Sequence, residues 1–489
     1  MRADRGRLVG VDAEAPVALA MGRWQAPAVP HWNETPASRW RRPRPAAVTR
    51  ARRWHARSLG CGLVALALAA GCSSPSPPAA ADRPNVVLAI GDDHGYPYFG
   101  FMGDGIVRTP NLDRLAEGGV VFTTAYVAAS VCEPSLRALL TGAEPFARLP
   151  RSFSEVMQPS NTLPGLLGQH GYSSFQAGKL WQPSYRRAGF TDGTKGEKLE
   201  GGGFERAMGG RAGLAVGRST MQPVYDFIDR NERAPFLLWF APMLPHRPWN
   251  APEKVLARYD AVARELSPSA LAYYANISRF DDALGELVDY LDRKGLRSRT
   301  LIVYLSDNGF QQGPQETFAP ESLDHAKDSM AEMGFRTPII FNWPGHIPAG
   351  VVRDDLVSSL DLFPTLLDFA GVPRPADRVG IDLRPALERG AAVPRTEIVG
   401  VMLRTRPISV GQPPKPQARR AYFVRSARWH YAQYAEEGTE QLFDLKTDPR
   451  ELHDVVTDHP EEAQGFRERI ERWQSERSTT GGPARSVAP

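Results

Sequence analysis

Two pairs of oxygen donors stand far apart in this 489-residue chain, Asp92-Asp93 and Asp307-Asn308. Each pair directly follows an apolar run, Asn85-Val-Val-Leu-Ala-Ile-Gly91 in one case and Thr300-Leu-Ile-Val-Tyr-Leu-Ser306 in the other. Singly, such a pair ordinarily caps a helix or makes a turn. Jointly, at the tips of two buried strands, carboxylate and amide oxygens without Cys or His form a hard donor set. That set suits Ca2+, or Mg2+, better than zinc.

Cys132 is the second chemical feature. It opens the run Cys132-Glu-Pro-Ser-Leu-Arg-Ala-Leu-Leu-Thr-Gly142 at the start of an expected helix. There, free backbone N–H groups and the helix dipole favour an anion. Cys61 lies inside an apolar leader and Cys72 ends it, so a processed chain keeps Cys132 as its one thiol and forms no internal disulfide. A free cysteine is ordinarily a small buried hydrophobe, but this position makes it a candidate nucleophile for an anionic substrate. Lys179 and Lys327 are candidate point charges for that anion, although a solitary lysine is usually solvated. His246 lies between Pro245 and Pro248, after the apolar run Pro235-Phe-Leu-Leu-Trp-Phe-Ala241. It is a candidate general acid.

The elements that must position these groups have a repeating grammar. Continuous apolar runs bounded by turn residues read as strands buried on both faces. Between them lie helical patterns at Asn111–Glu117, Ser135–Leu140 and Tyr273–Lys294, the first and last closed by glycine. Alternation of strand and helix gives an α/β fold with a central, mostly parallel sheet flanked by helices. Ligands of such sheets sit beyond the carboxyl ends of the strands, so the acids and His246 face one crevice. Gly189–Gly217 reads as an irregular surface loop, and Pro407–Arg419 as a connector. Beyond it, Arg420–Arg425, Trp429–Tyr434 and Gln441–Leu445 read as short strands and Glu461–Arg477 as a polar helix, together a small C-terminal antiparallel sheet with one covering helix.

Charge excludes one class of function. Residues 1–60 carry twelve Arg and four acids, a net +8, which against +4 for the whole chain leaves the remainder near −4. A nucleic-acid partner loses its support. The basic stretch Arg50–Arg57 followed by Gly62–Gly71 is an export signal too short to span a bilayer. Ala69-Ala70-Gly71-Cys72 with the following Ser/Pro tether resembles a bacterial lipoprotein signal, with Cys72 as the lipidated residue; cleavage near Ala80 is the alternative. The expected location is the periplasm or the outer-membrane surface of a bacterium. Residues 1–47 are either an over-extended gene start or a disordered arm.

Six motifs occur in order: Asp92-Asp93, Cys132–Gly142, Gly178-Lys179, Pro245-His246, Ser306–Gly309 and Lys327–Pro338. With the tail Glu440–Glu451, they resemble the formylglycine-dependent sulfatases of the alkaline-phosphatase-like superfamily over about residues 83–475. The resemblance implies a leader over 1–82, a catalytic domain over 83–406 and a C-terminal subdomain over 407–489. It implies a divalent metal on Asp92, Asp93, Asp307 and Asn308, and Cys132 oxidised to formylglycine by a maturation enzyme. One hydroxyl of the hydrated aldehyde would then attack sulfur and the other would expel sulfate, while His246 protonates the departing alcohol and Lys179 and Lys327 hold sulfate oxygens. A sulfated small molecule or glycan is the implied substrate.

Two departures from the family pattern stand out. The family places Arg four residues after the cysteine, where this chain has Leu136; Arg137 follows, rotated by about 100° on a helix, and is the candidate catalytic Arg if a local backbone adjustment turns it inward. A family His near Lys179 is replaced by Gln182, which donates a hydrogen bond but carries no proton for transfer. His325 and His94 are candidate replacements. Trp181, Tyr185 and Trp249 read either as sugar-stacking groups or as core. Two other functions remain open: an idle relative that binds sulfated glycans, and a phosphate-ester or phosphonate hydrolase.

Overall fold

The computed structural model describes residues 83–146, 157–196, 210–310, 326–404 and 419–479. The expected leader and tether, with Cys72, and residues 407–418 of the expected connector lie outside the described residues.

The central sheet is built on β1 (Asn85–Gly91), which pairs in parallel with β6 (Phe236–Ala241) on one side and β7 (Thr300–Ser306) on the other. All residues of these three strands are buried, as their unbroken apolar sequences require. With β2 (Val120–Phe122), β4 (Ser173–Gly178), β5 (Asp192–Gly193), β8 (Ile339–Asn342) and β9 (Val351–Arg353) they form eight strands in the order β5-β4-β6-β1-β7-β8-β2-β9. The pairings from β5 through β7 are parallel and β8 runs antiparallel to both its neighbours. One apolar core, including Val86, Leu88, Leu139 and Leu366, covers one face. A second, including Val87, Ala89, Phe280 and Leu284, covers the other. Each such side chain contributes about 1.5–3 kcal/mol through its removal from water.

Helix α1 (Pro110–Glu117) begins with Pro at its first turn, and Asp281 accepts from the backbone N–H groups of Asn111 and Leu112. The long helix Pro268–Arg293 starts earlier than its apolar periodicity suggests, because Ser267 caps it by accepting from Ala270 N–H and Pro268 occupies the first turn. Helix α2 (Cys132–Thr141) starts at the cysteine itself and ends at left-handed Gly142. A two-stranded parallel pair, β3 (Ala125–Tyr126) with β10 (Val357–Ser358), leads toward it.

The stretch Gly189–Gly217 is not wholly irregular: it supplies β5 and a helix over Gly210–Ala215, because the open edge of β4 accepts Asp192 and Gly193 as a further strand. The small antiparallel sheet has four strands, β11 (Glu397–Arg404), β12 (Arg419–Ser426), β13 (Trp429–Tyr434) and β14 (Thr439–Asp444), in sequential order. Its first strand therefore precedes residue 407. The helix Pro460–Thr479 buries Ala463, Ile470 and Trp473 and packs on β12 and β13. Among the described residues, no helix is long and apolar enough to cross a membrane.

Gly178 ends β4 at φ 97°, and a Cβ there would lie 2.1 Å from the Ala241 carbonyl oxygen. This close approach lets the next residue, Lys179, donate its backbone N–H to that carbonyl at 2.7 Å. Gly178→Ala is expected to destabilise the protein by about 2 kcal/mol or more, read as a lower denaturant midpoint; an unchanged midpoint would contradict this account of the β4 terminus.

Candidate functional site

The two oxygen-donor pairs meet because β1 and β7 are neighbours in register. Gly91 pairs with Ser306, Asp307 N–H donates to the Gly91 carbonyl at 2.9 Å, and Asp93 N–H donates to Asp307 Oδ1 at 3.1 Å. Asp93 takes a left-handed backbone, φ 63°, uncommon for a residue other than glycine. All four side chains are buried. Asn308 Nδ2 donates to Asp93 Oδ1 at 2.7 Å. Gly309 then passes so close to Met333 that a Cβ would lie 1.9 Å from its carbonyl oxygen, which brings the segment carrying Lys327 against the acids.

Two cations lean on this cluster. Lys179 Nζ pairs with Asp92 Oδ1 and, at 2.9 Å, with Asp307 Oδ2, while Lys327 Nζ lies 2.5 Å from Asp93 Oδ1. Burial would raise the Asp93 carboxyl, but Lys327, His246 and Lys179 hold it well below the usual carboxylate range. Asp307 is pushed up to about 6 by burial, and by Asp92 and Asp93, against the pull of Lys179 and Lys327. Burial opposes charge on Lys179, yet Asp307 and Asp92 hold its ammonium form.

A divalent metal fits this donor set. Asp92 Oδ2 and Asn308 Oδ1 are buried oxygens with no hydrogen-bond partner, an arrangement that is costly unless something else meets them. Ligand atoms of Asp92, Asp93 and His246 lie within 4.8 Å of one another. Three buried carboxylates outweigh the charge of two lysines, which leaves net negative charge that a hard cation would meet.

Cys132 sits at the first position of α2 behind extended Val131, with 7% of its surface exposed. Burial pushes its thiol up; Lys179 and Lys327 pull it down, and Asp307 and Asp92 push it up again. The cysteine thus shares one electrostatic neighbourhood with the whole cluster. A neutral thiol is a poor nucleophile, so unmodified Cys132 is badly suited to attack.

His246 arrives on the loop after β6. Its Nδ1 donates to the Arg247 carbonyl at 2.7 Å, which directs Nε2 toward Asp93, 3.7 Å from Oδ2. No sequence motif singles out Arg218, yet it clasps this loop by donating to the carbonyls of Met243, His246 (2.9 Å) and Pro248 (3.2 Å). Lys195 is another buried cation without a sequence signal; its Nζ donates to the Leu180 carbonyl at 2.6 Å, and burial lowers it to about 8.

The departures resolve unevenly. Leu136 joins the apolar core at 1% exposure, with Leu139 and Leu140. Arg137 pairs with Glu133 one turn back, at 2.5 Å, and Glu133 is the charge that holds its guanidinium against the cost of burial. Gln182 is buried, and its Nε2 has no hydrogen-bond partner. His325 lies outside the described residues. His94 does not replace the absent histidine: its Nε2 donates to the Tyr98 carbonyl and its Nδ1 accepts from Tyr304, both at 2.7 Å, and burial lowers its pKa to about 3. It is a neutral structural group stacked on Phe99. Trp181, Tyr185 and Trp249 pack, partly buried, against apolar clusters.

Two family models match. One, Sulfatase, covers residues 84–372, and the other, N-sulphoglucosamine sulphohydrolase, C-terminal, covers 324–476. The N-acetylgalactosamine-6-sulfatase of Sus scrofa is 31% identical over 404 residues, covering 72% of this chain and 73% of its own. The solved structure of Ps i-CgsB in complex with k-i-k-neocarrahexaose is similar at TM-score 0.65 and 25% identity, over 80% of this chain and 93% of its own. The phosphonate monoester hydrolase of Agrobacterium radiobacter shares the fold at TM-score 0.60 and 19% identity, over 81% of this chain and 96% of its own.

Ca2+ added to chelator-treated protein is expected to raise its melting temperature, as binding to the folded state alone contributes about 2.7 kcal/mol at a concentration 100 times Kd. Asn308→Ala, which keeps every carboxylate, is expected to remove most of that rise. A wild-type melt indifferent to both Ca2+ and Mg2+ would contradict the metal assignment.

Proposed function

Because the chain belongs to the sulfatase family of the alkaline-phosphatase-like superfamily, and so to the sulfuric ester hydrolases, we propose that its substrate is a sulfate ester on a carbohydrate. In this reading Cys132 is matured to formylglycine by a formylglycine-generating enzyme, and Asp92, Asp93, Asp307 and Asn308 hold Ca2+, with Mg2+ as the alternative. The observation that carries it is the meeting of Lys179 and Lys327 with the acid cluster at the strand ends, with His246 beside Asp93 and Cys132 within reach of the same charges. The carbohydrate class is supported by relatives named N-acetylgalactosamine-6-sulfatase and N-acetylglucosamine-6-O-sulfatase.

When present, the hydrated aldehyde supplies the attacking hydroxyl and the metal polarises it together with the sulfate oxygens. The chain's own groups do the rest. Lys179 and Lys327 present ammonium charge to the sulfate oxygens as negative charge shifts toward the leaving group. Burial of Lys179, and partial burial of Lys327, strengthen that interaction by limiting water. His246 Nε2, directed by the Nδ1 hydrogen bond to the Arg247 carbonyl, delivers a proton to the departing alcohol oxygen. Gln182 offers its amide N–H in place of a charged group.

Export and a lipid anchor on Cys72 belong to the same proposal: a tethered enzyme at the bacterial surface or in the periplasm meets sulfated glycans directly. Leu136 in the apolar core and Arg137 on Glu133 favour one second reading, an idle relative that binds such glycans without turnover.

Measured turnover of an aryl sulfate, faster than that of the matched phosphate ester and abolished by Cys132→Ala, is expected. Absence of turnover in formylglycine-bearing protein would leave the idle reading, and preference for phosphate would overturn the sulfatase reading. His246→Ala is expected to slow a sugar sulfate by about 100-fold or more and a nitrophenyl sulfate far less, since nitrophenolate leaves without a proton. An equal loss on both substrates would remove His246 as the general acid.

A further inference from the structure

The tail motif Glu440–Glu451 takes no part in the chemistry described so far, yet its last residue reaches the active-site segment. Glu451 is 1% exposed and has a left-handed backbone, φ 56°. Its Oε2 accepts from the backbone N–H of Glu332 at 2.6 Å, and its Oε1 accepts from Arg425 Nη2 at 3.1 Å and pairs with His430 Nδ1 at 2.6 Å. Arg425 also pairs with the Glu332 carboxylate. Glu332 Oε1 in turn accepts from Arg336 Nη1 and from Tyr126 OH, each at 3.1 Å, and Arg336 Nε donates to the Thr123 carbonyl at 3.0 Å. Glu332, Glu451, Arg425, His430 and the partly exposed Arg336 thus form a largely buried charged network between β12, the tail and the short helix Glu332–Phe335.

That helix is joined directly to the segment bearing Lys327. On its other side the segment is tied to the approach to Cys132: Asp328 N–H donates to the Ser130 carbonyl at 2.9 Å, and Ser130 Oγ donates to the Ser329 carbonyl at 2.7 Å. Asp328 itself is left-handed, φ 69°. Left-handed residues other than glycine persist where surrounding structure over-determines them, and they gather at functional sites. Asp93, Asp328 and Glu451 are three of four among the described residues.

We infer that Glu451 and Arg425 of the C-terminal subdomain are positioning residues for Lys327, clamping the segment Ala326–Glu332 so that its ammonium is held at Asp93. The inference rests on the sulfatase reading above. A carboxylate at 451 is required because one group must accept both from a backbone N–H and from a guanidinium in a buried place, where a lost acceptor leaves charge uncompensated.

Glu451→Gln preserves shape and one acceptor oxygen, while Glu451→Ala removes both acceptors. On an aryl sulfate, kcat/KM is expected to fall about 10-fold in the first and about 100-fold in the second, mostly through kcat. In a Lys327→Ala background, Glu451→Gln is expected to cost less than about twofold, since residues acting through one another are not additive. Should Glu451→Ala fail to fold, the Glu451→Gln pair of measurements decides alone. The same fold-loss in both backgrounds, or a lowered melting temperature with unchanged kcat/KM, overturns the inference. Inactive, formylglycine-bearing wild-type protein would instead defeat the sulfatase reading, so the two failures are distinguishable.

Discussion

Three carboxylates buried at the ends of two adjacent parallel strands are the constraint on which the site depends. Asp92, Asp93 and Asp307 are held together by the register of β1 on β7, and each is almost wholly removed from water. Burial, and after it the like charges of Asp92 and Asp93, oppose ionisation there and push Asp307 up. Lys179 and Lys327 offset part of that charge, and the orphaned oxygens of Asp92 and Asn308 mark where further positive charge fits. A bound divalent metal would turn the net negative cluster net positive, which is what an anionic ester needs. In the proposed reading, such a cluster would receive a sulfate ester.

Placing so many charged groups within one crevice demands tight backbone approaches, and the fold supplies them at glycines. Gly178 lets β4 deliver Lys179 beside the Ala241 carbonyl, and Gly309 lets the strand-β7 turn touch Met333. Around this centre, arginines do the quieter work of tying loops to carbonyls and carboxylates. Arg218 clasps the His246 loop, Arg336 ties the Lys327 segment to Thr123, and Arg425 joins that segment to the C-terminal sheet. The small sheet is therefore fastened to the centre by buried charge as well as by the apolar cluster of Tyr126, Phe335, Met402 and Phe423.

The sheet and the acid pairs were legible in the sequence because both are local signals: unbroken apolar runs make buried strands, and polar pairs at their ends face one crevice. Long-range contacts were not legible. Arg218 and Glu451 act on backbone groups, which every residue carries, so no residue type announces the partner. His94 is a candidate replacement for the absent family His by position alone, but Tyr304 and the Tyr98 carbonyl occupy both its nitrogens. Strand β11 lies ahead of the expected connector because its place depends on pairing with β12, although Glu397-Ile-Val-Gly-Val-Met-Leu-Arg404 has the β-branched content of a strand. The rotation of Arg137 onto Glu133 does follow from helix geometry.

Everything in the proposed chemistry passes through residue 132. Its thiol is buried and pushed up by that burial, and the proposal puts a formylglycine in its place. The most direct measurement is the mass of the proteolytic peptide spanning Cys132–Arg137, from protein made in its native host or beside a formylglycine-generating enzyme. The account predicts an aldehyde, sulfur replaced by oxygen with loss of two hydrogens, that reacts with a hydrazide probe. A peptide carrying only unmodified cysteine, from protein that nevertheless hydrolyses sulfate esters, would contradict it.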